Sequence, residues 1–144
     1  MDRIAFRMAS VLTAIFAVLH TIGFLGFVPD DPAARQVRAA MDTTVFALGN
    51  AHLSFGGFYV GFGIFVTAAL LLAAVLSWWL AYVAREAPRL VFVPASALAA
   101  FQLASLILAL LLFPAPPAVF SAVILACLLF AMWATSRRLG GKQA

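Results

Sequence analysis

Three long stretches of the chain carry no charged side chain: Met8 to Pro29, Thr43 to Ala84, and Leu90 to Ser136. An α-helix rises about 1.5 Å per residue and the hydrocarbon core of a bilayer is about 30 Å thick, so about 20 apolar residues span it. The first stretch, 22 residues long, makes one span over about 5–28. The third has 47 residues and would be about 70 Å long as a single helix, so it must break. Phe113-Pro-Ala-Pro-Pro117 supplies the break, because its three prolines end one helix and start the next. Spans over about 90–113 and 117–136 follow.

The middle stretch has 42 residues and no proline, yet as one straight helix it would reach about 63 Å. Trp78, Trp79 and Tyr82 stand before Arg85 and Arg89 as an interfacial aromatic belt. Counting back about 22–25 residues places the outer end of this span near Gly56–Phe58, giving a span over about 56–83. The segment from about Pro32 to Ser54 is then expected at or above the outer surface, partly helical. The expected fold is all-α: a single transmembrane domain over 1–144, with four transmembrane helices and an outer-side segment between the first two.

Composition agrees with a bilayer setting. Apolar residues make up 66% of the chain and charged residues 10%, against about 45–50% and 25% in soluble domains. A soluble protein of 144 residues lacks the polar side chains to cover that much apolar surface. A nucleic-acid partner is excluded, since the nine basic residues form short clusters between apolar runs rather than one polar face. Those clusters set orientation instead. With both termini inside, the inner side holds Arg3, Arg7, Arg85, Arg89, Arg137, Arg138 and Lys142, and the outer side Arg35 and Arg38. The expected location is a bacterial cytoplasmic membrane. The first charge-free run exceeds the usual signal-peptide core and no small-x-small cleavage site follows it, so it is expected to be retained. The single cysteine, Cys127, excludes an internal disulfide and fits packing or lipid contact.

Polar groups inside the spans are the candidates for chemistry, because burying them in lipid is costly. None of the four spans carries Asp, Glu, Lys or Arg in its interior, which argues against proton-coupled transport and carboxylate metal sites. His20 falls about 20 Å from the level of Arg7, and Gln102 and Ser105 about 18 and 22 Å from Leu90. Thr67 and Ser121 fall near the same level, so His20, Thr67, Gln102, Ser105 and Ser121 are expected to share one polar layer. His20 then either bonds Gln102 or a backbone carbonyl and fixes helix register, or faces a ligand. His52 is expected at the outer interface near Asn50, Ser54 and Tyr59. On a continuous helix His52, Gly56, Tyr59 and Gly63 share a face. Candidate catalytic residues are His20, His52 and Tyr59, and candidate pocket residues are His20, Gln102, Ser105, Thr67, Asn50 and Tyr59. Gly57 and Gly61 form GxxxG, which suits either close approach of another span or space for a ligand.

Two histidines in a small bundle raise haem. Bis-histidine ligation needs both rings at one depth, but His20 lies at about 20 Å and His52 at about 40 Å on a straight helix. A single axial ligand, His20 or His52, stays open.

The stretch His20-Thr-Ile-Gly-Phe24, a loop carrying Val37 and Met41, and Phe58-Tyr-Val-Gly-Phe-Gly63 resemble small bacterial four-helix membrane proteins of DoxX-like build, largely without assigned activity. The likeness covers about the first 80 residues and rests on His20, Gly23, Phe58, Tyr59, Gly61 and Gly63. A narrower likeness is to the styrene oxide isomerases, four-helix membrane enzymes that use haem as a Lewis acid. It rests on Ala51-His52, and Phe58 stands where those enzymes place an asparagine. Three functional classes stay open. They are an accessory or partner subunit (to another membrane protein or a second copy), a binder or isomerase-like enzyme for a small hydrophobic molecule, and a haem protein using one histidine.

Overall fold

The computed structural model describes residues 1–141, so Lys142, counted above to the inner side, lies outside the described residues. In chain order the elements are α1 (Asp2–Gly26), α2 (Pro32–Thr43), β1 (Val45–Leu48), β2 (Ala51–Ser54), α3 (Phe55–Glu86), a short 3-10 turn (Pro88–Val91), α4 (Phe92–Leu112) and α5 (Ala115–Gly140). Four helical segments, Asp2–Gly26, Phe55–Glu86, Pro88–Leu112 and Ala115–Gly140, are long and apolar enough to cross a membrane. The fold class is all-α, with one small hairpin added.

The chain forms two compact units. The first takes α1 as far as Phe16 and the described residues from Leu70 onward. Proline shapes its turns: Pro114 caps α5, and Pro116 and Pro117 sit in the first turn, where a missing N–H costs no helical bond. Its core is built from small residues. Ala9, Ala84, Ala95 and Ala131 are fully buried around Phe6, Leu80, Ile124 and Leu128. Bulk points outward, as the neighbours Val93 and Ala95 show at 82% and 0% exposed. That is the arrangement a lipid solvent favours, because close helix approach rather than burial of bulk drives association there. Ser10 Oγ donates to the Ala74 carbonyl at 2.7 Å, joining α1 to α3, and Phe16 stacks on Phe120 of α5 at 5.3 Å.

One end of this unit is closed by an ion pair. Arg138 lies 3.0 Å from the carboxylate of the buried Asp2. Thr135 Oγ1 lies 3.4 Å from the same carboxylate and 2.8 Å from the Ala131 carbonyl of its own helix. Arg138 also donates to the Ala84 carbonyl in the last turns of α3. Three helices therefore meet at one guanidinium.

The second unit is Ala17–Ala69. Asp31 caps α2 by accepting from the Ala33 N–H at 2.9 Å, with Pro32 at the first helical position. α2 buries none of its residues. The expected partly helical segment thus includes α2, but it also holds an antiparallel hairpin with Phe46 opposite Leu53 and Ala47 opposite His52. The two-residue loop is Gly49-Asn50, and Gly49 has φ of 60°. No other described residue has positive φ, which makes this a type II′ turn with glycine first. Phe55 N–H donates to Thr44 O at 3.2 Å, so the ladder runs directly into the start of α3. Phe46 packs on Phe55 and Phe58, with ring centroids 4.7 and 5.9 Å apart.

Candidate functional site

The second unit gathers polar groups around the Gly63 carbonyl. His20 Nε2 lies 3.2 Å from that oxygen. A carbonyl only accepts, so the bond requires a proton on Nε2. Thr67 Oγ1 lies 3.2 Å from the same carbonyl and 2.8 Å from Thr21 Oγ1, which in turn is 2.8 Å from Ala17 O. Each hydroxyl has one proton. Thr21 donating to Ala17 leaves Thr67 to donate to Thr21, and the Gly63 oxygen to accept from His20. α1 and α3 are thereby tied by two side-chain contacts, from adjacent residues of α1 to positions four residues apart on α3.

Gly63 makes the approach possible. A Cβ at this position would lie 2.5 Å from the Phe24 ring. Phe24 lies against His20 with ring centroids 5.1 Å apart and planes tilted by 33°, and meets Tyr59 edge-on at 6.5 Å. The Tyr59 ring is also covered by Arg38 of α2, 5.1 Å from its centroid. Tyr59 is held between an aromatic edge and a cation, with 42% of its surface exposed.

The expected five-residue polar layer is divided between the two units. His20 and Thr67 belong to the second, whereas Gln102, Ser105 and Ser121 belong to the first. Ser105 Oγ turns back to its own helix and donates to Phe101 O at 2.9 Å. Gln102 and Ser121 are buried, and Gln102 Oε1 and Ser121 Oγ have no hydrogen-bond partner among the described residues. The reading of His20 as bonded to a backbone carbonyl matches the geometry within the second unit.

His52 requires a correction. The expected helical face of His52, Gly56, Tyr59 and Gly63 does not include His52, because α3 begins only at Phe55. His52 lies on β2 opposite Ala47, exposed, and Asn50 is exposed in the turn. A strand alternates with period two, so the helical spacing that joined His52 to Tyr59 does not apply.

The glycines divide in an equally specific way. A Cβ on Gly56 would strike the Asp42 side chain, and one on Gly57 would come 3.1 Å from Ser54 Oγ. Apart from its chain neighbours and the backbone of its own helix turn, a Cβ on Gly61 would meet no described atom within 4 Å. Gly57 and Gly61 instead form the floor of a groove of about 360 Å³ walled by Leu53, Phe58, Phe62 and Phe65. The groove is almost wholly apolar, and none of His20, His52, Tyr59 or Asn50 lies in its wall.

The sequence reading did not single out Thr21, which completes the His20 network, or Asp2, Thr135 and Ser10. Asp2 had a signal: it is the only acid within the first 29 residues, set directly before a span. As for haem, Nε2 of His20 is the donor to Gly63 O, so while that bond holds any metal ligation by this ring falls to Nδ1. Among the described residues no three His, Cys, Asp or Glu side chains cluster as metal ligands. No protein-family model matches the chain, nor does any curated protein or solved structure.

Proposed function

We propose that this protein is a non-catalytic partner subunit of the bacterial cytoplasmic membrane, with both termini inside, akin to the DoxX-like proteins it resembles. The observation that carries the reading is the open Gly57/Gly61 groove on α3. A GxxxG notch in a membrane helix suits a second helix, since small residues let backbones come close where lipid offers no hydrophobic drive. Gly56 and Gly63 are filled from within the chain, by Asp42 and Phe24, whereas Gly61 is not. Phe62 and Phe65 beside it are 57% and 70% exposed, giving a partner ridges to interlock with. The bond from His20 to Gly63 supports a register-fixing role for that histidine.

Filling the notch tests this. Gly61→Leu is expected to leave the purified chain folded and to abolish its complex in native membranes. A complex of unchanged mass would contradict it.

The second reading, a binder of a small hydrophobic molecule, is favoured by the groove's volume, which lies within the range of ligand sites, about 300–1,000 Å³. Mass spectrometry of copurified molecules separates the two. A stoichiometric small molecule lost in Gly61→Leu would support the binder, and an absorption band near the Soret region lost in His20→Ala or His52→Ala would support haem.

A further inference from the structure

The first unit carries six arginines near its helix ends, Arg3, Arg7, Arg85, Arg89, Arg137 and Arg138. Two are neutralised: Arg138 by Asp2 at 3.0 Å and Arg85 by Glu86 at 3.1 Å. Those are also the only carboxylates at these ends among the described residues, so Arg3 and Arg7 face none within ion-pair distance. They stand one helical turn apart on α1 and, with Met1 and Ile4, line a pocket of about 200 Å³ whose wall is more polar than apolar. Arg7 is held against Trp78, its guanidinium 5.2 Å from the centre of that ring.

The pocket continues into an apolar stripe. Ile4, Met8, Val11 and Ile15 follow at offsets of 4, 7 and 11, so they share one face of α1. All four are exposed, between 44% and 64%. A cationic cup above a lipid-facing stripe matches one kind of ligand, a phosphodiester headgroup with acyl chains attached. Trp78, Trp79 and Tyr82, all more than half exposed, set the same level as the headgroup region.

We infer that Arg3 and Arg7 form a binding site for the phosphate of an anionic phospholipid, whose acyl chain lies along Ile4, Met8, Val11 and Ile15. Two guanidinium forks give paired hydrogen bonds to phosphate oxygens, which a zwitterionic headgroup weakens with its own cation. The site depends on membrane embedding and not on the partner-subunit reading.

The test is native mass spectrometry of the full detergent-purified chain titrated with phosphatidylglycerol, phosphatidylcholine or inorganic phosphate. Phosphatidylglycerol is expected to be retained in preference to phosphatidylcholine. Arg3→Gln is expected to lower that retention about fivefold, and the double variant with Arg7→Gln about 25-fold. Among the described residues no ion pair, side-chain hydrogen bond or aromatic contact involves the Arg3 side chain, so its variant keeps the comparison valid even if Arg7→Gln disturbs Trp78. Arg89→Gln, which removes the same charge outside the pocket, is expected to leave retention unchanged. An equal loss in Arg89→Gln would overturn the site in favour of general charge. Equal retention of phosphatidylcholine, or displacement by millimolar inorganic phosphate, would overturn it too.

Discussion

Gly63→Ala isolates the contact that brings α1 and α3 together in the second unit. The new Cβ would lie 2.5 Å from one atom of the Phe24 ring and 2.7 Å from two more. Ordinary carbon contacts are about 3.5–4.0 Å, so the ring must retreat by about 1 Å. Phe24 is not free to do so cheaply, because His20 and Tyr59 flank it. Overpacking of this kind costs about 1–3 kcal/mol. Against it, alanine is the better helix former by about 1 kcal/mol. The net expectation is a loss of about 0–2 kcal/mol in the wild-type background. In a Phe24→Ala background the clash is gone and the same substitution should stabilise by up to about 1 kcal/mol. The assay is a double-mutant cycle on unfolding in mixed micelles, followed by far-UV circular dichroism. A coupling of about 1–3 kcal/mol is expected. Equal effects of Gly63→Ala in both backgrounds, within about 0.5 kcal/mol, would refute the contact and with it the role assigned to this glycine.

Four further outcomes follow from the same geometry. Asp2→Asn should destabilise the first unit by about 2 kcal/mol in micelle unfolding; breaking a fully buried pair costs about 3–5, and the half-exposed Arg138 reduces that. His20→Ala removes one hydrogen bond to Gly63 and should cost about 1 kcal/mol in the same assay. His52→Ala, on an exposed strand position, should change stability by less than about 0.5 kcal/mol. Gly49→Ala forces a side chain into positive φ and should cost about 1–2 kcal/mol, read as faster amide exchange confined to the hairpin.

The helices were legible where the sequence carries hard chemical punctuation. Phe113-Pro-Ala-Pro-Pro117 has no option but to break a 47-residue apolar run, and α4 and α5 part there. The Trp78–Tyr82 belt placed the start of α3 to within one to three residues of Phe55. The hairpin escaped because residues 43–54 carry no charge and merge into the same apolar run. The signal present was Gly49-Asn50, a hairpin dipeptide between two runs too short for alternation to show. His52 went astray with it. The level of His20 could be counted, but its partner could not, since a backbone carbonyl leaves no mark on sequence. Asp2 and Arg138 lie 136 positions apart, and only the packing of helix ends brings them together.

The central claim is that the notch at Gly57 and Gly61 receives another membrane helix. The direct measurement is photo-crosslinking in the native membrane from a benzophenone amino acid placed at Phe62, beside the notch. A discrete protein adduct that disappears in Gly61→Leu is expected, and its mass tells a second copy of the chain from a different subunit. Crosslinks to lipid alone, or a protein adduct indifferent to Gly61→Leu, would contradict the account.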